Sequence, residues 1–376
     1  MAILLEKHFN KRDNELVNRA YRTLMGNLYI DEGYPWSPYR CISPAVGRFN
    51  GIWNWDSAFH AIGLSHFDVE ISKECILGFL QFQREDGLLP DVIFEDGRIV
   101  DTFSKPPFFA WASEIVYKRD GELAFIKEVY PKLVKNIEFW NNKRCSKGLF
   151  FYDAENKNDD NYIKRARFES GWDNSVRWDN GIPEYWAIDL NCYMVMFYRS
   201  LSFMADKLGK MNEKEKWDIE AEKLSKLINS VMWNKKNEYY SDVNRFTNEN
   251  SDVLTPASFM PLYIGIATDE QAEFMNKIAI DKFGNKMPTV SFDNPNYSND
   301  YWRGPTWLNV AYFAAKGLKK YGFEVADKIR ENILNMCFEE KNGIFENYDS
   351  ITGKGLCCDH FSWSCTFILE FIMNWN

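Results

Sequence analysis

Apolar residues recur at helical spacing from one end of the chain to the other, with no low-complexity linker and no long charge block. The periodicity predicts about twelve helices, near 12–27, 56–66, 70–84, 106–119, 122–143, 184–209, 213–233, 256–264, 269–281, 305–320, 322–337 and 361–374. Their connections alternate between short and long. Turns such as Phe67-Asp68-Val69, Lys210-Met211-Asn212 and Tyr321-Gly322 join neighbours into antiparallel hairpins, whereas 28–55, 85–105, 144–183, 234–255, 282–303 and 338–360 are long loops. With neighbours antiparallel throughout, every long loop emerges at one end of the molecule. Long ordered loops on a rigid scaffold carry binding or catalysis, so that end is where function is expected.

The helix after each long loop is apolar on nearly all sides, as in PTWLNVAYFAAKGL (305–318) and HFSWSCTFILEFI (360–372). The helix after each short turn is amphipathic, as in EVADKIRENILNMCF (324–338) and EKEKWDIEAEKLSKLINSVMW (213–233). A helix apolar all round is buried and one with a charged face lies outside. Six inner and six outer helices in alternation describe an all-α (α/α)6 barrel, a single domain over residues 1–376, with at most small β-hairpins in loops such as FYDAE and EYYSDVN. A plain helical solenoid is the alternative architecture.

Composition narrows the partners. At 376 residues, 45% of them hydrophobic, the chain can bury a large core, which excludes disorder of the whole. Its unusual figure is an aromatic share of 16% with 14 Trp, residues amphipathic enough to line a wet sugar-binding groove. A net charge of −9 and no concentrated basic face argue against nucleic acid. The eight Cys (41, 75, 145, 192, 337, 357, 358 and 365) fall mostly in apolar stretches without zinc-site spacing and read as reduced core thiols, and the adjacent Cys357-Cys358 pair is poorly placed to bridge. The N-terminal MAILL run is too short for a signal segment and no later stretch reaches membrane-spanning length, so a cytoplasmic protein without membrane contact is expected.

Four of the long-loop segments interleave indole and phenol rings with carboxylates: GRFNGIWNWDSAFH (47–60), FESGWDNSVRWDNG (168–181), YSNDYWRGPTW (297–307) and GIFENYDSITGKG (343–355). Cleaving a glycosidic bond takes a carboxylic acid for the leaving oxygen, a carboxylate as base or nucleophile, and aromatic surfaces for sugar faces. These segments supply each part. Metal and nucleotide chemistry lack support, because the four His (8, 60, 66 and 360) show no zinc spacing, no Gly-rich phosphate loop is present, and GWDNS is not a nucleophile elbow. No metal and no cofactor are expected.

The same segments resemble the clan of inverting (α/α)6-barrel glycosidases that includes trehalase and glycoside hydrolase family 63. GRFNGIWNWDSAF is similar to the trehalase signature, ESGWDNS-x-RWD to the segment carrying the general acid, YWRGPTWLN to the family 63 WRGPVW segment, and FENYDSITGKG to the segment carrying the general base. The trehalase WD-x-PNGW segment is absent. The compact length is similar to the bacterial mannosylglycerate and glucosylglycerate hydrolases of that clan.

The resemblance implies Asp173 as general acid and Glu346 as general base, with Asp349 one helical turn away as the other carboxylate able to serve. It implies that Trp55 and Asp56 grip the sugar and that Arg303 completes their pocket, unless Arg303 is a buried ion-pair residue. Trp53, Gln83, Trp172, Tyr301 and Trp302 are further candidate sugar contacts. Glu169 is a candidate for raising the pKa of Asp173 by like-charge proximity. Where relatives carry Gln-Pro-Pro before the fourth helix this chain has Ser104-Lys105-Pro106-Pro107, so Lys105 either reads an acidic substrate or snorkels to solvent. The expected function is hydrolysis of a small α-linked glycoside with inversion, the partner being a small carbohydrate. Two other functions fit the barrel: a sugar isomerase or 2-epimerase working through His60 and His360, and a binding protein with a degenerate site.

Overall fold

A computed structural model describes residues 9–375; residues 1–8, with the short N-terminal apolar run and His8, and residue 376 lie outside the described residues. Thirteen α-helices are present among the described residues: α1 Lys11–Gly26, α2 Asn54–Leu64, α3 Val69–Leu80, α4 Phe109–Asp120, α5 Leu123–Lys143, α6 Tyr162–Ser170, α7 Ile188–Lys207, α8 Met211–Val231, α9 Met260–Tyr263, α10 Asp269–Phe283, α11 Leu308–Lys320, α12 Val325–Glu339 and α13 Ser362–Met373. Helices α2, α4, α7, α9, α11 and α13 each pack on the next, and α13 packs back on α2, which closes an inner ring. Outside it, α1, α3, α5, α8 and α12 lie against α13, α2, α4, α7 and α11, and α10 lies beside α12. The result is an (α/α)6 barrel, with long and short connections alternating as the hydrophobic pattern predicts.

Burial explains the two helix types. Every residue of α2 is buried, and all but the last of α13, including Glu370, whose carboxylate is satisfied by His66 Nε2 at 2.8 Å and by Asn374. The outer α8 buries only the stripe Trp217, Ala221, Leu224, Ser225 and Ile228, one face of a 3.6-residue period. Local signals set the ends. Asp68 accepts from the Ile71 amide to start α3, and Thr268 and Gln271 form a reciprocal capping box at α10, caps worth about 1 kcal/mol each.

The structure departs from the sequence pattern in three places. The expected helix 256–264 is a 3-10 turn, Pro256–Phe259, followed by the single turn α9, because Pro261, inside the expected span, lacks the donor that a continuous helix needs there and its ring crowds the carbonyl four residues before it. The helix expected from residue 184 starts at Ile188, since Tyr185–Trp186 pair as a strand with Val243–Asn244. The loop 144–183 contains α6. As for the hairpins, Tyr239–Tyr240 pair with Trp233–Asn234, and Cys145–Ser146 with Leu149–Phe150 just ahead of FYDAE. A three-stranded ribbon, Gly51–Trp53 beside Val92–Phe94 beside Ile99–Val100, ties the first two long loops together with Trp53 opposite Val92.

The deepest polar tie lies between long loops. Arg177, in the 3-10 turn Val176–Trp178, donates from Nη1 and Nη2 to both oxygens of Asp189 at 2.7 Å, and from Nε and Nη2 to both oxygens of Asp242 at 2.8 Å. All three side chains are at most 3% exposed. Asp189 stands in the first turn of α7, and Asp242 also accepts from the Ile188 amide, so one guanidinium fixes two loops to the start of an inner helix. Removing the cation strands two buried carboxylates. Arg177→Met is therefore expected to lower the free energy of unfolding in urea by about 3–5 kcal/mol, and a loss under about 1 kcal/mol would show that the triad does not hold the loops.

Candidate active site

The rigid end of the barrel presents a floor of indoles. Trp302 and Trp307 stack with centroids 3.8 Å apart and planes at 14°, Trp307 continues onto Trp363 at 5.7 Å, and Trp55 leans on Trp302 and Trp363 at 6.2 and 5.9 Å. Such offset and tilted pairs are favoured by the ring quadrupoles and leave faces on which a sugar ring can lie. Above the floor is a cavity of about 130 Å³, lined also by Trp53, Asp56, Lys105, Gly171, Asp173, Tyr301 and Glu346. All four aromatic and acidic segments contribute to this cavity.

Backbone geometry delivers the acids. Gly171 ends α6 at φ 72°, and a Cβ there would come within 2.4 Å of Trp55 Cη2, so only glycine lets the chain turn this tightly over the indole and present Asp173 two residues on. Glu346 is held from the other side, where the Tyr301 hydroxyl donates to its Oε1 at 3.0 Å. Tyr301 is itself at φ 48°, and its carbonyl accepts from Trp307 Nε1 at 2.9 Å while Asn174 Oδ1 accepts from the Trp302 amide at 2.9 Å. Asp173 and Glu346 thus arrive from separate loops, each bonded to the segment carrying Tyr301 and Trp302.

Burial raises every carboxyl in the pocket. Asp56 is pushed up to about 8 and Glu346 to about 7, in both cases first by loss of water, and the charge of Asp173 pushes Glu346 further while the Tyr301 hydroxyl pulls it down. Asp91, just behind, is pushed up to about 6 by burial against the attraction of Lys105. Asp173 is raised by burial, with Lys105 and Lys164 opposing.

Several expected roles do not survive. Glu169 accepts from Arg144 Nε and Nη2 at 2.8–3.1 Å and from the Ser104 and Asp153 amides; neutralised there, it is not a source of the Asp173 shift, which comes from burial. Gln83 donates to the Gly87 and Lys132 carbonyls, away from the cavity. Arg303 is the ion-pair residue of the two readings, bidentate to Asp179 at 2.8 Å, and stands outside the cavity wall. Asp349 is engaged by the Ile351 and Thr352 amides and by Asn299, so it does not share the place of Glu346. Trp172 is fully buried beneath Trp302, at 5.0 Å, and supports the floor rather than lining it. Lys105 does not snorkel: it is 8% exposed and its ammonium lies among protein groups.

Other side chains enter that the sequence pattern did not single out. Trp307 stood inside a quoted segment without being assigned a role; Trp363 and Phe361 looked like core of an apolar helix; Asp91 carried no motif. His60 is buried, bonded to Ser362 Oγ at 2.7 Å and driven down to about 3 by burial, whereas His360 is exposed and lines a different groove. The His pair of an epimerase is not assembled. All eight Cys are unbridged, six of them buried. Among the described residues the one carboxylate group spaced to hold a metal, Glu70, Asp120 and Glu122, surrounds the Lys73 ammonium instead. No described helix is long and apolar enough to cross a membrane.

A family model described as the mannosylglycerate hydrolase MGH1-like glycoside hydrolase domain matches residues 50–364. The mannosylglycerate hydrolase of Rubrobacter radiotolerans is 23% identical, over 85% of this chain and 90% of that protein. Among solved structures, the GH63 mannosylglycerate hydrolase of Thermus thermophilus, in complex with Tris and D-glycerate, gives a TM-score of 0.80 at 23% identity over 96% of this chain and 100% of that one. Neutral trehalase Nth1 of Saccharomyces cerevisiae gives 0.74 at 18% identity, over 95% and 80%.

The raised carboxyls have a stability consequence that needs no substrate. A carboxyl whose folded pKa lies above its unfolded value stabilises the fold below the unfolded value and loses that contribution as pH rises through the folded one. For Glu346 the window runs from its ordinary 4.5 to about 7. Glu346→Gln is thus expected to unfold at higher urea than the parent at pH 8, by about 1–3 kcal/mol, with the gain shrinking as pH falls toward 4.5. An equal difference at both pH values would contradict the burial of an ionising group here.

Proposed function

The chain belongs to the mannosylglycerate hydrolase MGH1-like glycoside hydrolases, and from that membership we propose that it hydrolyses a small α-glycoside of an acidic aglycone with inversion, Asp173 acting as general acid and Glu346 as general base. The observation that carries this reading is the pair of carboxyl groups, Glu346 buried and Asp173 half-buried, on separate loops and facing one small cavity floored by indoles. Inverting enzymes keep such a pair about 6.5–9.5 Å apart to admit the attacking water. Glu346, near 7, is poised to take a proton at neutral pH, and the Tyr301 hydroxyl holds its carboxylate in place. Asp173, raised by burial at the outer rim, is the group positioned for the leaving oxygen. Asp56, Trp53 and Trp55 grip the ring, and with Asp56 pushed up to about 8 it donates as readily as it accepts toward sugar hydroxyls.

The acidic aglycone rests on the wider mouth next to Asp173. That space of about 850 Å³ is bounded by Lys164, Arg167 and Phe168 of α6 together with Asp173, Asn174, Asp300 and Tyr301, and its two cations stand on the α6 side. Arg167 donates from Nη2 to the Trp178 carbonyl at 2.8 Å, while its buried Nε has no partner among the described residues. A carboxylate in the mouth would instead meet the charges of the Arg167 guanidinium and the Lys164 ammonium, which line it. The Thermus relative with D-glycerate bound has an aglycone of this kind, which makes mannosylglycerate and glucosylglycerate the first compounds to assay.

Mutation separates the two acids. Asp173→Asn is expected to slow natural glycosides by about 10²–10⁴-fold and aryl glycosides with good leaving groups much less. Glu346→Gln is expected to impair both kinds, because water must be activated whatever leaves. Proton NMR of fresh product is expected to show the β-anomer first; the α-anomer first would mean a retaining displacement and end this assignment. Arg167→Ala is expected to raise KM about tenfold or more for mannosylglycerate while leaving neutral methyl α-mannoside unchanged, and equal effects on both would remove the acidic aglycone.

A further inference from the structure

Lys105 enters the cavity wall from the loop before α4, with Pro106 and Pro107 stiffening the chain behind it. Its ammonium stands 3.4 Å from Asp91 Oδ1 and 3.9 Å from Asp173 Oδ1, and it donates to the Phe168 carbonyl. The rings of Phe103 and Phe168 flank it at 6.0 and 5.8 Å. Neither of those two carboxylate oxygens has a hydrogen-bond partner among the described residues. One ammonium therefore faces two otherwise unpartnered acids at nearly equal range.

The other charged and titratable groups around Asp173 come from every neighbouring element: Asp56 from α2, Lys164 and Arg167 from α6, Asp300 and Tyr301 from the loop before α11, and Glu346 from the loop before α13. Lys164 and Arg167 stand on the mouth side. Lys105 is the buried cation of the cavity wall, and the acids around it outweigh the pull of burial and keep it charged.

We infer that Lys105 is a positioning residue for Asp173, its ammonium fixing the direction of that carboxyl and governing how tightly it holds a proton, and that Asp91 regulates this by competing for the same ammonium. The inference rests on the proposed role of Asp173 only for its catalytic consequence; the electrostatic coupling rests on the geometry of the pocket alone. Opposite charge within about 4–6 Å shifts a carboxyl by about 1–3 pH units. The two partners therefore act in opposite directions. Without Lys105, Asp173 holds its proton more tightly. Without the Asp91 charge, the ammonium turns wholly to Asp173 and a repelling neighbour is lost, so Asp173 holds its proton less tightly. A residue that merely filled space would move neither.

The test is a titration of substrate-free protein carrying ¹³Cγ-labelled Asp, with the Asp173 resonance identified by its loss in Asp173→Asn. The expected result is a midpoint about 1 unit or more higher in Lys105→Gln, lower in Asp91→Asn, and close to the parent in Lys105→Arg, which keeps the charge. No movement in Lys105→Gln, or movement of both variants in one direction, overturns the inference. Should Lys105→Gln fail to fold by circular dichroism, Asp91→Asn decides alone: a lowered midpoint supports the inference and an unmoved one overturns it. The alkaline limb of kcat/KM on mannosylglycerate is expected to follow the same order. If the NMR midpoints move as stated and Asp173→Asn keeps full activity, the coupling stands and the general-acid assignment of Asp173 falls.

Discussion

A guanidinium almost without exposed surface holds together the parts on which the pocket depends. Arg177 pairs with Asp189 at the start of α7 and with Asp242 in the next long loop, and its cation lies 5.0 Å over Trp172 and 4.4 Å over Trp178. Trp172 in turn supports Trp302, the centre of the indole floor. Asp173 follows Trp172 in the chain. An error in the Arg177 contacts would therefore reach the acid and the floor together. Two carboxylates around one guanidinium leave a net negative charge in the interior, tolerable because Asp189 and Asp242 also accept from the Leu190 and Ile188 amides at the positive end of α7.

The same chain that stabilises charge at Arg177 leaves it under tension a few residues away, around Asp173. Asp56, Asp91 and Glu346 are all raised by burial, and the atoms Asp91 Oδ1 and Asp173 Oδ1 lack partners among the described residues. A core selected for stability alone would replace such groups with hydrocarbon. Retaining them is the expected signature of a site whose polar groups wait for a ligand, and the indole floor supplies the rigidity that keeps them from collapsing onto one another.

How far the sequence carried the reading follows from what each feature depends on. The barrel was legible because inner and outer helices differ in composition along their whole length: α13 reads as buried and α8 as half-buried without any partner being known. That Asp173 and Glu346 would line one cavity was legible because each sits in a long segment with a recognisable pattern. The roles that failed are those decided by which of several neighbours a side chain reaches. Gln83, Arg303 and Asp349 have the right chemistry and lie near the right loops, but each meets a closer partner, a backbone carbonyl, Asp179 or a loop amide. Asp91 was invisible for the converse reason: nothing in LLPDVIF distinguishes it, and only the ribbon that pairs Val92 with Trp53 brings it beside Lys105. Helix α6 escaped because YIKRARFES is short and charged, with only Ala166, Glu169 and Ser170 buried.

That overlooked helix separates two kinds of recognition. The floor that would meet the sugar comes from inner helices and the loops entering them, where Trp55, Trp307 and Trp363 pack on one another and a change in one displaces the rest. The mouth is bounded by Ile163, Lys164 and Arg167, on an added helix with one face in solvent. The two regions meet at Gly171, whose positive φ and close approach to Trp55 fix where α6 ends whatever its outward residues are. Substitutions along the mouth face of α6 can thus alter the charge and shape offered to a leaving group without moving Trp55 or the carboxyl pair. On the proposed reading, the aglycone is the part of the substrate this architecture is free to change, and the sugar is the part its packing holds constant.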